Sequence, residues 1–237
     1  MRTRADDNSP QAERPLWIDV LIRLAVSATI VAVVTHVLVR PFVIPSASME
    51  PTLMTGDRVV AKVWPGADEV GRGDVVVFGH GETWDDDRLD DDGNLVATVV
   101  RTGGDILGFG PSHQSHTVKR VVGLPGERVE CCDTEGRVTV DGEPLDEPYL
   151  EPARDLPFDP AVGCDGAAPS PRCFPEITVP AGSLLVLGDN RANSTDSVTA
   201  CRVAGADGTS CARLVPEERV VGQLGWRVWP MPPGGID

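Results

Sequence analysis

The sequence predicts a mainly β fold, an antiparallel β-barrel-like domain that follows one N-terminal transmembrane helix. One run of apolar residues near the N-terminus is long enough to cross a bilayer, and no second run of that length follows. After it come short β-branched runs separated by Pro-Gly, Glu-Gly and Asp-Gly pairs, which are typical of strands and turns. The 237 residues include 25 glycines and 21 prolines, which favours many turns over a helical bundle.

The apolar run at residues 17–39 is predicted to be a transmembrane anchor. As a helix it would reach about 34 Å, which exceeds the roughly 30 Å of a bilayer hydrocarbon core. Two alternatives remain open at this point. One is a buried helix of a soluble protein. The other is a cleaved signal peptide, because Ser46 and Ser48 have the spacing of small residues at a cleavage site, and the mature chain would then begin near Met49.

Arginines are distributed unevenly around this run. The tail of residues 1–16 contains three arginines, whereas Arg40 is the only one directly after the apolar run. The positive-inside rule therefore predicts a cytoplasmic tail and places residues 40–237 on the extracytoplasmic face of the cell membrane. A segment of that length is enough for one well-packed domain.

Short runs of β-branched and apolar residues within this domain are the predicted strands. Turn signals separate them, and no second long helix is predicted. We interpret these strands and turns as an antiparallel β-barrel-like domain on one helical stalk. The predicted strands are residues 58–63, 74–78, 95–101, 117–122, 137–140, 184–187 and 220–229.

Three segments interrupt the strands and are expected to form insertions. Residues 79–116 are acidic and then glycine-rich, residues 150–180 are rich in proline, and residues 198–214 contain a pair of cysteines. The acidic run lacks the spacing of an EF-hand, so a solvated loop is expected rather than a calcium site. The pair His113-x-x-His116 is too little to predict a metal site.

The charge and the cysteines limit the possible partners. A formal net charge of -15 argues against nucleic acid, which requires a basic surface. The 6 cysteines form no C-x-x-C pair and have no histidine at zinc-site spacing, so no metal site is expected. Disulfides on the exported side of the membrane are expected instead. Short loops favour Cys164 with Cys173 and Cys201 with Cys211, whereas the adjacent Cys131 and Cys132 are expected to find separate partners.

The loop after the anchor offers a nucleophile. Two prolines stiffen a segment that holds Ser46 and Ser48, and a serine in such a turn can attack a carbonyl if a base is available. Among 21 basic residues, lysine occurs only at Lys62 and Lys119, and lysine is the one that can lose its proton when buried. Histidine is a poor alternative base, because the four histidines lie in the anchor or in the segment 79–116: His36, His80, His113 and His116.

Three motifs occur in a fixed order behind the anchor. They are P-S-x-S-M-x-P-T, which begins at Pro45, K-R-V-V-G-x-P-G, which begins at Lys119, and G-D-N-R-x-x-S-x-D-S, which begins at Gly188. Together with a Gly-Asp turn into a strand, they resemble the bacterial type I signal peptidases. The resemblance implies a membrane-bound serine endopeptidase with a Ser-Lys dyad and no cofactor. Its substrates would be exported preproteins with small residues at positions -1 and -3, next to the lipid bilayer.

The resemblance also implies a role for each matching residue. Ser48 would be the nucleophile and Lys119 the general base. The hydroxyl of Ser46 would join the Ser48 N–H in an oxyanion hole, Ser194 would orient the lysine amine, and Asp196 would support it. Shallow pockets for small side chains would be formed by Phe42, Ile44, Pro45, Met49, Leu53, Val59, Val76 and Val118.

The sequence departs from the family pattern in two places. Val198 stands where an arginine is usual, so the arginine partner of Asp196 is open. Thr117 stands where some relatives carry an aromatic residue, which predicts a wider pocket. Two other functions also remain open: a self-cleaving protease like the LexA-type repressors, and a non-enzymatic anchored β module. The candidates for the partner of Asp196 are Arg120, Arg191 and Arg202.

Overall fold

The computed structural model describes residues 15–63, 70–80, 84, 95–107, 115–164 and 168–236. Within these ranges the chain forms a long N-terminal helix followed by two antiparallel sheets. The helices are α1 Leu16–Val37, α2 Leu95–Leu107 and the one-turn α3 Gly208–Cys211. Short 3-10 turns lie at Ala47–Met49, Pro152–Arg154, Arg191–Asn193, Thr199–Cys201 and Glu217–Arg219.

Helix α1 coincides with the predicted anchor to within two residues at each end. Its segment Leu16–Thr35 has a mean hydropathy of 2.1, and only 6% of its most apolar window is buried within the protein. Its length and composition are those of a membrane span. Because nearly all of its side chains are exposed, it is not the core helix of a soluble domain.

The larger sheet pairs strands that are distant in sequence. Its order is β1-β2-β11-β3-β4-β9-β10, with β12 beside β11, and the smaller sheet has the order β7-β6-β5-β8. Every pairing is antiparallel, so the fold is mainly β as predicted, although the larger sheet is not closed into a barrel. The strands are β1 Val39–Val43, β2 Arg58–Lys62, β3 Val75–Gly79, β4 His116–Gly123, β5 Arg128–Cys131, β6 Val138–Val140, β7 Glu143–Pro144, β8 Phe174–Thr178, β9 Ser183–Leu187, β10 Val215–Pro216, β11 Val220–Trp229 and β12 Gly234–Gly235.

Apolar side chains on opposite faces of the larger sheet form two separate buried clusters. The first cluster holds Ile44, Met49 and Leu53 from the segment after β1, packed on valines of β2 and β3. The second lies around Phe78 and Val121. A third cluster joins β4 and β9 to the smaller sheet. The first cluster therefore fixes the segment that contains Ser46 and Ser48 against the sheet.

One predicted strand is wrong. Residues 95–101 belong to helix α2, which packs against α1. The valines of this segment favour a strand by local propensity, but the contact with α1 selects the helix, because tertiary packing overrides local preference. The segment 150–180, predicted to be a surface extension, also contributes strand β8 to the smaller sheet.

The disulfides agree with the prediction in two of three cases. Cys164 is bonded to Cys173 and Cys201 to Cys211, which close loops of 9 and 10 residues in sequence. The expectation that the adjacent pair would find separate partners is wrong, since Cys131 is bonded to Cys132. The other four cysteines are already paired with each other, which leaves these two as each other's partner.

Candidate active site

The segment after β1 presents Ser48 from a short helical turn. Ser46 is in an extended conformation just before this turn, and Ser48 lies inside it with 8% of its surface exposed. The next residue, Met49, is buried in the first cluster and accepts a backbone hydrogen bond from Leu53 N at 2.9 Å. An N–H group at the start of a helical turn, such as that of Ser48, has no hydrogen-bond partner within that turn.

Asn190, in the loop after β9, holds the same turn from the other side. Its backbone N–H donates to the Ser48 carbonyl oxygen at 3.0 Å, and its side-chain amide donates to the Ala47 carbonyl oxygen at 3.0 Å. Two hydrogen bonds from one residue fix both the position and the tilt of the turn. The loop that begins with Gly188 is thereby joined directly to the segment that carries Ser48.

Lys119 reaches Ser48 from β4. Its Nζ lies 2.7 Å from Ser48 Oγ, although the two residues are 71 positions apart in sequence. Only 3% of Lys119 is exposed, and Val76 on β3 lies opposite it in the sheet. The structure thus brings the amine and the hydroxyl that the sequence analysis had paired within hydrogen-bonding distance.

The surroundings of Lys119 favour its neutral form. Burial lowers its pKa from 10.5 to about 8, and the negative charges of Asp196 and Asp189 oppose this shift. Desolvation dominates because the amine lies inside the protein, whereas the two carboxylates have other cations beside them. At a pKa of about 8 a useful fraction of the amine is neutral near physiological pH.

Ser46 and Ser194 both lie near Ser48. The Ser46 and Ser48 hydroxyl oxygens are 3.3 Å apart. Ser194 Oγ is buried and has no hydrogen-bond partner within the described ranges, so it does not bond to the lysine amine. A side chain at Gly188 would overlap both Ser194 and the Ser48 carbonyl oxygen, which explains a glycine at this position.

Asp196 is completely buried beside the dyad, and the structure selects one of its three candidate arginine partners. Arg202 Nη2 lies 3.5 Å from Asp196 Oδ2, and Thr199 Oγ1 donates to Asp196 Oδ1 at 3.0 Å. Arg191 instead pairs with Glu147. The cysteine-bounded insertion, residues 198–214, thus provides the arginine partner of Asp196, since position 198, where the family usually has an arginine, is a valine.

The sequence analysis missed a buried ion pair under the site. Arg120 Nε and Nη2 donate to the two Asp189 carboxylate oxygens at 2.9 and 2.8 Å, and Thr52 also hydrogen bonds to this carboxylate at 2.5 Å. The guanidinium also lies 3.9 Å from the centre of the Tyr149 ring. Arg120 and Asp189 both lie inside the motifs quoted from the sequence, each next to a residue of the site, and that position was the available signal.

The sequence model of the family described as "Signal peptidase, peptidase S26" matches residues 17–229. A probable signal peptidase I of Mycobacterium leprae is 34% identical, over 94% of this chain and 79% of the relative. A signal peptidase I of Mycobacterium tuberculosis is 35% identical, over 94% of this chain and 77% of the relative. The chain belongs to the signal peptidase family S26.

Among solved structures, a signal peptidase I from Enterococcus faecalis V583 is similar, with 23% identity and a TM-score of 0.34. It covers 66% of this chain and 97% of the other. Family membership makes the chain a peptidase of the serine type rather than a non-enzymatic module. The region matched by the signal peptidase family begins at the first residue of the predicted anchor and includes every site residue described above.

The residues predicted to form the signal peptidase's substrate pockets fall into two groups. Phe42 is partly buried and Pro45 is exposed, so a substrate can touch both. Leu53, Val59 and Val76 are completely buried and can shape a pocket only from behind other side chains. Val76 also belongs to the second cluster, on the other face of the sheet from the first. The remaining predicted residues, Ile44, Met49 and Val118, are buried in the first cluster.

Among the histidines with described side chains, His80 and His116 contact residues other than Ser48. His80 Nε2 lies 2.6 Å from Thr117 Oγ1, and the His116 ring packs edge-on against Phe42, 5.5 Å between ring centres. His113 lies outside the described residues, so the expectation that His113 and His116 form no metal site is untested. The acidic run of the same insertion is outside them as well, apart from Trp84.

Asp189→Asn is expected to lower the free energy of unfolding of the signal peptidase by about 3–5 kcal/mol, because it leaves the buried Arg120 charge without its counterion. The side chains of this pair are only 2% and 0% exposed. Urea unfolding of the detergent-solubilised protein, followed by tryptophan fluorescence, measures the change. Asp141→Asn is the matched control, since Asp141 pairs with Arg128 at 3.5 Å on the surface. The control should shift by less than about 1 kcal/mol, and equal shifts in the two variants would contradict the role of burial.

Proposed function

We propose that this signal peptidase removes N-terminal signal peptides from exported preproteins with a Ser48–Lys119 dyad, while α1 anchors it in the cell membrane. The observation that carries the proposal is the 2.7 Å contact between Lys119 Nζ and Ser48 Oγ, in a site where burial lowers the pKa of the amine to about 8. A serine needs a base within hydrogen-bonding distance, and a neutral lysine meets that need.

The reaction begins when neutral Lys119 accepts the Ser48 hydroxyl proton. Ser48 Oγ then attacks the scissile carbonyl carbon and forms a tetrahedral intermediate. The intermediate collapses as the C–N bond breaks, and Lys119 gives its proton to the leaving amine, which is the new N-terminus of the mature protein. Water then attacks the acyl-enzyme ester, with Lys119 as the base again, and releases the signal peptide with a free carboxylate.

In this proposal the Ser48 N–H and the Ser46 hydroxyl stabilise the oxyanion. The Ser46 hydroxyl oxygen lies 3.3 Å from that of Ser48, on the exposed side of the turn, where a substrate carbonyl would enter. Donors of this kind act most strongly at the moment when negative charge develops on the carbonyl oxygen. Asn190 supports them indirectly, because it holds the turn that carries both groups.

Two other polar residues support the base in this proposal. Ser194 lies beside Gly188 and Ser48, and its unpartnered buried hydroxyl can turn toward the amine once Lys119 leaves the Ser48 hydroxyl. Asp196 provides negative charge that stabilises Lys119 when it is protonated during the reaction. Its own charge is held in place by Arg202 and Thr199.

The membrane topology rests on α1 and on the arginines around it. Helix α1 is long and apolar enough to span, and it leads within two residues into β1 and the Ser48 segment. The three arginines of the tail favour a cytoplasmic N-terminus. The site then lies close to the extracytoplasmic surface, where a membrane-bound signal peptide presents its cleavage region.

The proposed function predicts cleavage of a preprotein after alanine at position -1, with alanine also at -3. Replacing the -1 alanine with phenylalanine is expected to reduce kcat/KM by about 10²-fold or more, because a pocket formed by packed aliphatic side chains has no room for the ring. The measurement is cleavage by the purified full-length protein in detergent, followed on gels and by N-terminal sequencing.

Phenylalanine at -2 is the matched control. Alternate side chains of an extended peptide point to opposite sides, so this ring would point away from the pockets. The control substrate should be cleaved within about fivefold of the parent rate. Cleavage of neither substrate, or equal cleavage of the -1 and -2 variants, would contradict the proposed specificity.

A further inference from the structure

Helix α2 exposes an apolar stripe to its surroundings. Its residues Leu95, Val96, Val99 and Val100 are 77%, 71%, 63% and 48% exposed. At about 100° per residue they cover one face of about 140°. Four aliphatic side chains in one continuous exposed stripe are unusual for a helix in contact with water.

The residues on the opposite face of α2 are less exposed to solvent, and two of them are small. Gly104 is buried, and Ala97 and Arg101, which share its side of the helix, are partly covered. This is the reverse of a helix in a soluble domain, where large apolar side chains face the protein and polar ones face the solvent. Small residues at a helix contact with large apolar side chains outside are typical of packing within a membrane.

The contact partner of α2 is the anchor itself, since α1 and α2 pack against each other. On α1 the covered side chains include Ala32 and Thr35, close to the end that leads into β1. Apart from Ile18 and Asp19, which are partly buried, the other α1 side chains with described burial are exposed. The exposed stripe of α2 therefore continues the exposed apolar surface of α1 at the end nearest to the active site.

The connections of α2 to the larger sheet limit how far the helix can extend away from the catalytic domain. The segment that contains it leaves the larger sheet at the end of β3 and returns at the start of β4, and these strands are paired neighbours. Both of its ends thus start from the same domain. With 13 residues it is about 20 Å long, too short to span a core of about 30 Å.

We infer that α2 is a second membrane-contacting element, which lies at the extracytoplasmic boundary of the bilayer beside α1 with its Leu-Val stripe in the hydrocarbon. The inference rests on the proposed topology of α1. Two attachments restrict the tilt of the catalytic domain more than one flexible stalk does, and they hold the Ser48 segment at a fixed height above the lipid. The partner surface is lipid hydrocarbon rather than another protein, because the stripe is continuous with the surface of the span.

The test places the photo-reactive residue p-benzoylphenylalanine at Val99 of the full-length protein, reconstituted in nanodiscs of phosphatidylethanolamine and phosphatidylglycerol. Val203 is the matched control, an exposed valine in the cysteine-bounded insertion, and Val26 is the reference in α1; they are 61% and 53% exposed. After irradiation, mass spectrometry measures lipid adducts. Retained cleavage of a short soluble peptide shows that each variant is folded.

Lipid adducts at Val99 should exceed those at Val203 by at least about fivefold and approach those at Val26. The inference would be overturned if Val26 formed lipid adducts while Val99 formed no more than Val203 does. The proposed role of α1 as the membrane anchor would then still stand. Cross-links from Val99 to a second copy of the chain would show that the stripe of α2 contacts another protein molecule rather than lipid. This result would also overturn the inference. If Val26 itself forms no lipid adducts, the proposed topology fails, and the inference about α2 fails with it.

Discussion

Replacing Ser48 with alanine is expected to reduce kcat/KM for a preprotein by about 10⁴- to 10⁶-fold, because no other group can form the acyl-enzyme. The change removes one oxygen atom from a residue that is 8% exposed and leaves the turn held by Asn190, since both of its hydrogen bonds go to backbone carbonyl oxygens. The loss should therefore appear in kcat with little change in fold. Cleavage assays at substrate saturation and circular dichroism of the variant measure the two effects.

Ser210→Ala is the control for this experiment. Ser210 is exposed on the short helix α3, and its hydroxyl donates only to the backbone oxygen of Asp207. The control should cleave within about twofold of the parent, as surface changes outside the site usually do. A Ser48→Ala variant that keeps a tenth of the parent activity would show that another nucleophile does the chemistry.

Lys119→Met is expected to reduce kcat by at least about 10³-fold, because Ser48 then lacks a base to accept its proton. Methionine keeps most of the aliphatic volume and adds no charge, so the buried site stays packed. The other lysine of the chain provides the control. Lys62 lies exposed on β2, and Lys62→Met should leave kcat within about twofold. A Lys119→Met variant of normal activity would transfer the role of base to another residue.

The stability of Lys119→Met separates loss of the base from loss of the fold. The folded-state pKa of about 8 lies below the unfolded value of 10.5, so below about pH 8 the folded protein holds a buried charge that the unfolded chain keeps in water. Folding is therefore disfavoured there by this group, and the penalty decreases as the pH rises from about 8 toward 10.5. Lys119→Met removes the penalty, so the variant should be no less stable than the parent at pH 7, as measured by urea unfolding.

The same pKa sets the pH dependence of cleavage by the parent protein. The rate constant kcat/KM should rise as Lys119 loses its proton and level off above about pH 8. The positions of Asp196 and Asp189 raise the pKa of the amine, so neutralising either carboxylate should move the curve to lower pH. A rate that is flat from pH 6 to 9 would be inconsistent with a lysine base of this pKa.

Local sequence determined the parts of this protein that depend on neighbours along the chain. Helix α1 follows from a run of apolar residues, and most strands of the larger sheet follow from β-branched runs bounded by turn residues. The two short-loop disulfides follow from spacing. The motifs around Ser48 and Lys119 predicted the candidate site, because each one combines a chemically active residue with a turn that can position it.

Tertiary structure decided what depends on contacts between distant segments. The valines of residues 95–101 prefer strand locally, but α2 forms because that segment packs on α1. The choice of Arg202 as partner of Asp196 required the insertion to fold back onto the site. The 2.7 Å contact between Lys119 and Ser48 likewise requires β4 to be packed against the segment that Asn190 and the first cluster hold in place. Local patterns specify each element, but the free energy that selects among arrangements comes from burial and hydrogen bonding between segments far apart in sequence.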